Sequence, residues 1–186
     1  MNKPKNYDSV QAAVMGEQEV LEPGGYICKI LKAEIKESSS GKEMMVINYD
    51  IAEGDRKDFF ANKYRNNTNE NKKWQGVYYQ LTEDNSTKFF KGMITAIEKS
   101  NEGYKFKFDE TTLKGKLFGG IFGREEYFNI NTGKQQFSTK LLWIRNIDTI
   151  KSGNFETPAD KLMNNNSVPS GFAHVDESLD DDDLPF

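Results

Sequence analysis

Apolar and polar residues alternate most cleanly between Glu43 and Ile51, where Met45, Ile47, Tyr49 and Ile51 fall on one face and predict a strand. Upstream, Tyr26–Ile35 is rich in β-branched and aromatic residues but loses its alternation at Ile30-Leu31, which predicts a strand carrying a bulge. Pro23-Gly24-Gly25, Ser38-Ser39-Ser40-Gly41 and Gly54-Asp55 supply the turns around these strands. A third strand is expected over Lys57–Tyr64, then a polar loop over Asn66–Lys73 and an aromatic-rich stretch over Trp74–Leu81. The period then changes. Phe90, Met93, Ile94 and Ile97 take the i, i+3, i+4, i+7 spacing of an amphipathic helix over Thr87–Ser100 with a buried face, capped by Ser86 or Thr87 and stopped at Asn101-Glu102-Gly103. Extended segments follow at Lys114–Phe122, Glu125–Ile130 and Gln135–Arg145, the last two joined by the hairpin-turn sequence Asn131-Thr132-Gly133. Glycines 115, 119 and 120 inside the first of these imply bending or close backbone approach.

About six short strands, with one helix between the early and late ones, suit a small barrel. The expected fold class is mainly β: an OB-fold-like small barrel with one helix and a disordered acidic C-terminal tail. Residues 1–22 read as a flexible lead-in with a short helical turn around Val10–Met15, residues 23–155 as the barrel, and residues 156–186 as the tail. In the tail, Asn164-Asn165-Asn166-Ser167, Pro169-Ser170-Gly171 and the Asp run bury too little apolar surface to offset the entropy of ordering.

Composition sharpens this division. Only 36% of the 186 residues are apolar, yet 13 Phe, 8 Tyr and 2 Trp suffice for a core. Eight acidic residues against a single Lys161 leave residues 154–186 at −7, so a chain of net charge −4 has a body at +3. No run approaches the ~18 consecutive apolar residues of a membrane span. The N-terminus leads into no apolar stretch that would read as a secretory signal. The cytoplasm is the expected compartment, with no membrane partner.

The chain ends Asp180-Asp181-Asp182-Asp183-Leu184-Pro185-Phe186. The four aspartates repel one another and stay solvated, Pro185 restricts Leu184 to extended conformations, and Phe186 carries a ring and a terminal carboxylate on one residue. Such an end fits an apolar pocket with a basic lip. It resembles the tip of bacterial single-stranded DNA-binding (SSB) proteins, whose tails end in several Asp, an aliphatic residue, Pro and Phe. The body, in segments such as Gly24-Gly25-Tyr26, Phe89-Phe90-Lys91-Gly92, Ile97-Glu98-Lys99-Ser100-Asn101 and Lys114-Gly115-Lys116, resembles the diverged SSB proteins of phages and prophages of Gram-positive bacteria. The resemblance implies an OB-fold that coats single-stranded DNA (ssDNA), and a tip, Asp180 to Phe186, that docks replication, recombination and repair enzymes; a replication adaptor that uses the same tip without binding DNA, and a strand-annealing recombination accessory, are the alternatives. It implies no enzyme activity and no cofactor, and leaves homo-oligomerisation open.

Sequence-tolerant binding of ssDNA needs cations for phosphates and aromatic faces for bases. The residues expected to stack are Trp74, then Tyr64 and Phe122; those expected on phosphates are Lys63, Arg65, Lys72, Lys73, Lys116 and Arg124. In the strand after the helix, period 2 places Lys114, Lys116, Phe118, Phe122 and Arg124 on a basic–aromatic face and Leu117 and Ile121 on an apolar one; the reverse, with Phe118 and Phe122 in the core, is the alternative, against which the flanking lysines argue. Tyr78 and Tyr79 point oppositely if extended, so at most one faces DNA. Trp143 and Arg145 repeat the aromatic–basic pairing, with Trp143 expected in the core.

Other chemistry is poorly supplied. Gly115–Gly123 lacks the Gly-Lys-Ser/Thr ending of a phosphate loop, and the single histidine, His174, leaves no His-based triad or multi-histidine metal site. Cys28, the only cysteine, is expected as a buried inert thiol, and no metal is expected. Glu125 and Glu126 point to opposite faces of a strand, which argues against a carboxylate nuclease.

Overall fold

The computed structural model describes Lys3 and residues 20–130 and 133–163. The turn residues Asn131 and Thr132 and the tip Asp180–Phe186 lie outside the described residues, as do residues 1–19 apart from Lys3. Among the described residues, five strands, β1 (Gly24–Glu37), β2 (Glu43–Ile51), β3 (Val77–Leu81), β4 (Leu117–Asn129) and β5 (Lys134–Arg145), form one sheet in the order β3-β2-β1-β4-β5. Every neighbouring pair is antiparallel. Three helices accompany these strands rather than one: α1 (Phe59–Asn66), α2 (Thr87–Ser100) and α3 (Ile147–Lys151). The mainly β, small-barrel architecture expected from the sequence is thus what the chain forms.

β1 makes the curl. Its first residues, Gly24 to Lys29, pair with β4, while Cys28 to Glu37 pair with β2. The β1–β2 register shifts between Ile30 and Lys32, so Leu31 is the extra residue of the bulge that the broken alternation predicts. An extra residue bends its strand and raises the local twist, which lets one strand serve two halves of a curved sheet. The concave side packs Cys28, Ile30, Met45, Ile47, Tyr49, Phe118 and Phe122 against Met93, Ile94 and Ile97 of α2. The Tyr49 ring stands edge-on to Phe60, Phe118 and Phe122, with centroids 5.4, 5.8 and 6.0 Å away. Cys28 is fully buried, and burial pushes its thiol well above the usual range, which fits the expected inert role.

Residues 57–64, expected as a strand, instead enter helix α1. The cause lies in β2. The buried carboxylate of Asp50 accepts hydrogen bonds from the backbone N–H groups of Ile51 and Phe60 at Oδ1 (2.8 and 2.9 Å) and of Ala61 at Oδ2 (3.0 Å). Two of these donors belong to the first turn of α1, where N–H groups lack partners within the helix. Desolvation raises the Asp50 pKa, and the three N–H groups oppose that rise. Helical spacing then buries Phe60 and Tyr64 together.

Residues 156–163, expected as the start of the disordered tail, are instead held against the barrel. After α3 the chain runs as a strap along β4 as far as Met163: Lys161 pairs with Glu125 in a short parallel bridge, its N–H donates to Arg124 O (2.9 Å), and its carbonyl accepts from Glu126 N–H (2.8 Å). Arg124 and Asp160 join in a bidentate pair (Nε to Oδ1 2.9 Å, Nη2 to Oδ2 2.6 Å). Strand glycines make the seat. A Cβ on Gly25 would overlap the Phe155 ring, one on Gly119 the Ile150 side chain, and one on Gly123 would press on Leu142 and Pro158. Close backbone approach is therefore what the glycines of β4 provide.

Candidate nucleic-acid interface

Among the described residues, β3 and β5 each pair with a single neighbour, β2 and β4, so the sheet stays open between them. α2 lies beneath this opening. The result is a cleft of about 310 Å³ whose walls are Tyr78 and Gln80 of β3, Lys88, Phe89, Met93 and Lys99 of α2, and Trp143–Asn146 with Thr149 at the end of β5 and the start of α3. Its lining contains three cations, Lys88, Lys99 and Arg145, and no carboxylate.

Two of its rings face water. Phe89 is 60% exposed and Trp143 44% exposed. Each has a cation near its face: Lys88 Nζ lies 5.0 Å from the Phe89 centroid, and the Arg145 guanidinium lies 5.7 Å from the Trp143 centroid. Arg145 Nη1 also donates to Ile144 O at 3.0 Å, which holds the guanidinium beside the ring. Tyr78 is half-buried, and its hydroxyl donates to Gln80 Oε1 at 3.3 Å. Burial raises the Tyr78 pKa, with the nearby Arg145 charge pulling the other way, so the phenol stays protonated and able to donate. Trp143 and Arg145 also border a second cleft of about 450 Å³, on the side of Phe155 and Pro158. The Trp143 ring is therefore a partition with an open cleft on either side.

The rings expected to stack on bases lie elsewhere, and inside. Trp74 is 7% exposed: its Nε1–H donates to Gly76 O at 3.1 Å, and its ring packs beside Tyr64 and Phe60 with centroids 6.0 and 6.5 Å away. Tyr64 is buried with it, and Phe122 is fully buried between Tyr26 and Tyr49. These three are core residues. The loop after α1 turns back so that Trp74 closes one end of the barrel, and a side chain at Gly76 would overlap Tyr49 O.

The expected cations scatter. Lys63 and Lys72 lie over the outer faces of Phe59 and Tyr64 (5.8 and 4.5 Å), and exposed Arg65 and Lys73 flank them, forming a basic group around α1 whose rings point inward. Lys116 covers Tyr104 at 4.4 Å, and Arg124 is held by Asp160. The two-faced reading of β4 fails because both faces are covered. Phe118 and Phe122 enter the barrel, Ile121 is buried on the other face, and the register shifts between Ile121 and Phe122 opposite β5. Trp143, expected in the core, is the ring that projects. Phe89 carries a legible signal: it lies off the Phe90, Met93, Ile94, Ile97 stripe, at its margin beside the small residues Gly92 and Ala96.

Residues 6–107 match the model of a family described as "Protein of unknown function (DUF669)". The chain belongs to the DUF669 family. No curated protein matches it. The DUF669 match takes in β1, β2, α1, β3 and α2, hence the β3 and α2 walls of the cleft, while Trp143 and Arg145 lie beyond the matched residues.

Proposed function

We propose that this DUF669 protein binds single-stranded DNA across the cleft between β3 and β5, coats and protects it during phage DNA replication, recombination and repair, and recruits partner enzymes through Asp180–Phe186. The observation that carries the first part is the lining of the cleft: outward-facing Trp143 and Phe89 interleaved with Lys88, Lys99 and Arg145, and no acidic side chain. Rings of this kind take any base, since every base has a π face, and cations take the backbone without reading sequence. A small barrel with a groove at its open seam suits a flexible strand better than a duplex. The second part rests on the tip sequence and on its resemblance to SSB tails.

Titration with oligo(dT), read by tryptophan fluorescence, tests the proposal. Trp143 should be quenched while Trp74, sealed in the core, should not, and affinity should fall steeply with salt. Deleting residues 180–186 should leave affinity equal or tighter and abolish capture of replication enzymes. Absence of binding at low ionic strength would refute the reading.

A further inference from the structure

The loop from α2 to β4 holds a second basic–aromatic array, Tyr104-Lys105-Phe106-Lys107-Phe108. Loops that expose rings are ordinarily loose, but this one is tied down along its length. The Asn101 side chain accepts from Leu117 N–H (3.0 Å) and donates to Leu117 O and Ile97 O (both 2.8 Å). Glu98 accepts from Phe106 N–H and from Lys105 Nζ, each at 3.0 Å. The Tyr104 hydroxyl bonds Thr112 Oγ1 at 2.8 Å, and Asp109 caps the short 3₁₀ turn Glu110–Leu113 that drives Leu113 into the core.

On this rigid frame Phe108 is anomalous. The residue is 85% exposed, and its backbone is left-handed at φ 58°, a conformation costly for a bulky residue. Strain of this kind persists only where the surroundings hold it, and it clusters at active sites, ligand clamps and switch regions. Phe108 also ends a ladder of rings. Phe90 of α2 meets Phe106 at 6.4 Å, and Phe106 meets Phe108 at 5.6 Å. Phe90 is the chain neighbour of Phe89, which lines the cleft. Lys107 precedes it in the chain and Lys114 follows the 3₁₀ turn, both exposed, while the loop's Asp109 is engaged as a cap.

We infer that Phe108 is a base-stacking platform that extends the nucleic-acid path beyond the cleft, with Lys107 and Lys114 on the adjoining phosphates. The inference rests on the proposed binding of ssDNA and adds to it a second point of attachment, engaged only by a strand long enough to reach past α2. The occupant is a single strand because one exposed ring with exposed lysines beside it matches an unstacked base with its flanking phosphates.

The test compares wild-type protein with F108A in fluorescence anisotropy, using labelled oligo(dT) of about six and about sixteen nucleotides, lengths within the span one such barrel covers. F108A should bind the short strand like the wild type and the long strand roughly 5- to 150-fold more weakly, the loss of one stacked base, and F108Y should restore binding. Because the residue is 85% exposed, the thermal midpoint of F108A should match that of the wild type, and unchanged binding of the short strand is the control for folding. Wild-type affinity of F108A for the long strand would overturn the extension alone, including the case in which the platform serves another protein. A wild-type protein that binds neither strand would overturn the extension and the proposed function together.

Discussion

The two tryptophans of this chain have opposite fates. Trp74 follows two lysines and looks, in sequence, like a stacking platform; it is a plug in the core. Trp143 lies in a strand and looks like core; it stands in solvent between two clefts. The difference lies in what each ring can reach. Trp74 finds an acceptor for its N–H two residues away in Gly76 and two aromatic neighbours in Phe60 and Tyr64, so burying it leaves no polar group unpaired. Trp143 points away from the barrel interior at the end of an edge strand, where the sheet does not close. Neighbouring charge in sequence says little about exposure. Topology decides it.

Breaking this contrast gives the largest effects. Trp74→Ala should destabilise the fold by about 3–5 kcal/mol, as truncation of a buried aromatic does, with a lower urea midpoint and unchanged oligo(dT) affinity for the molecules that remain folded. Trp143→Ala should do the reverse: thermal midpoint nearly unmoved, oligo(dT) affinity reduced by about 1–3 kcal/mol in an equilibrium titration. Smaller, and sharper in what it separates, is a pair of double variants. K88A/K99A in the cleft should flatten the slope of log affinity against log salt by about 0.7 for each phosphate that is no longer neutralised, whereas K72A/K73A around α1 should leave it unchanged. Equal flattening by both would place the DNA path around α1 as well.

The smallest expected effect concerns pH. Hydrogen bonding from Arg124 holds the Asp160 carboxyl below its ordinary range. Burial pushes the Glu125 carboxyl up, but hydrogen bonds from Lys140 and Lys161 outweigh it, so that group is lowered too. Both pKa values are depressed by folding, so the strap's ion pairs contribute fully above the ordinary carboxylate range and fade as pH falls through the lowered values. Amide shifts of Gly123 and Lys161 should move together in that acid window, while those of Ile47 in the core stay fixed. Exposed ion pairs are weak, so the change should be local rather than global.

Much of the fold was legible. The period-2 run of β2, the broken alternation at Ile30-Leu31, the helical stripe of α2 and the hairpin of β4 and β5 all follow from side-chain spacing. What was not legible depended on distant partners. Residues 57–64 fit a strand or a helix by local pattern, and the choice is made by Asp50, ten residues before Phe60, whose carboxylate gathers the N–H groups of the first helical turn. The alternation in β4 suggested one wet face, but no local feature announced that residues 147–163 would cover it. Of the rings expected to stack, Trp74, Tyr64 and Phe122 are buried, while the rings exposed at the cleft are Phe89 and Trp143. Aromatic–basic neighbours mark both the Trp74 plug and the Trp143 partition, and only the three-dimensional arrangement tells them apart. The tip Asp180–Phe186 lies outside the described residues.

The glycine seat has a bearing on the order of assembly. Phe155 rests on Gly25 of β1, while Ile150 and Pro158 rest on Gly119 and Gly123 of β4, so the strap meets a surface that exists only once two segments nearly a hundred residues apart in sequence have paired. Its seat depends on that pairing, so the strap is expected to dock after the β1–β4 ladder has formed. In native-state hydrogen exchange, Lys161 should therefore open well before the β1–β4 ladder beneath it, as a separate unit of low local stability.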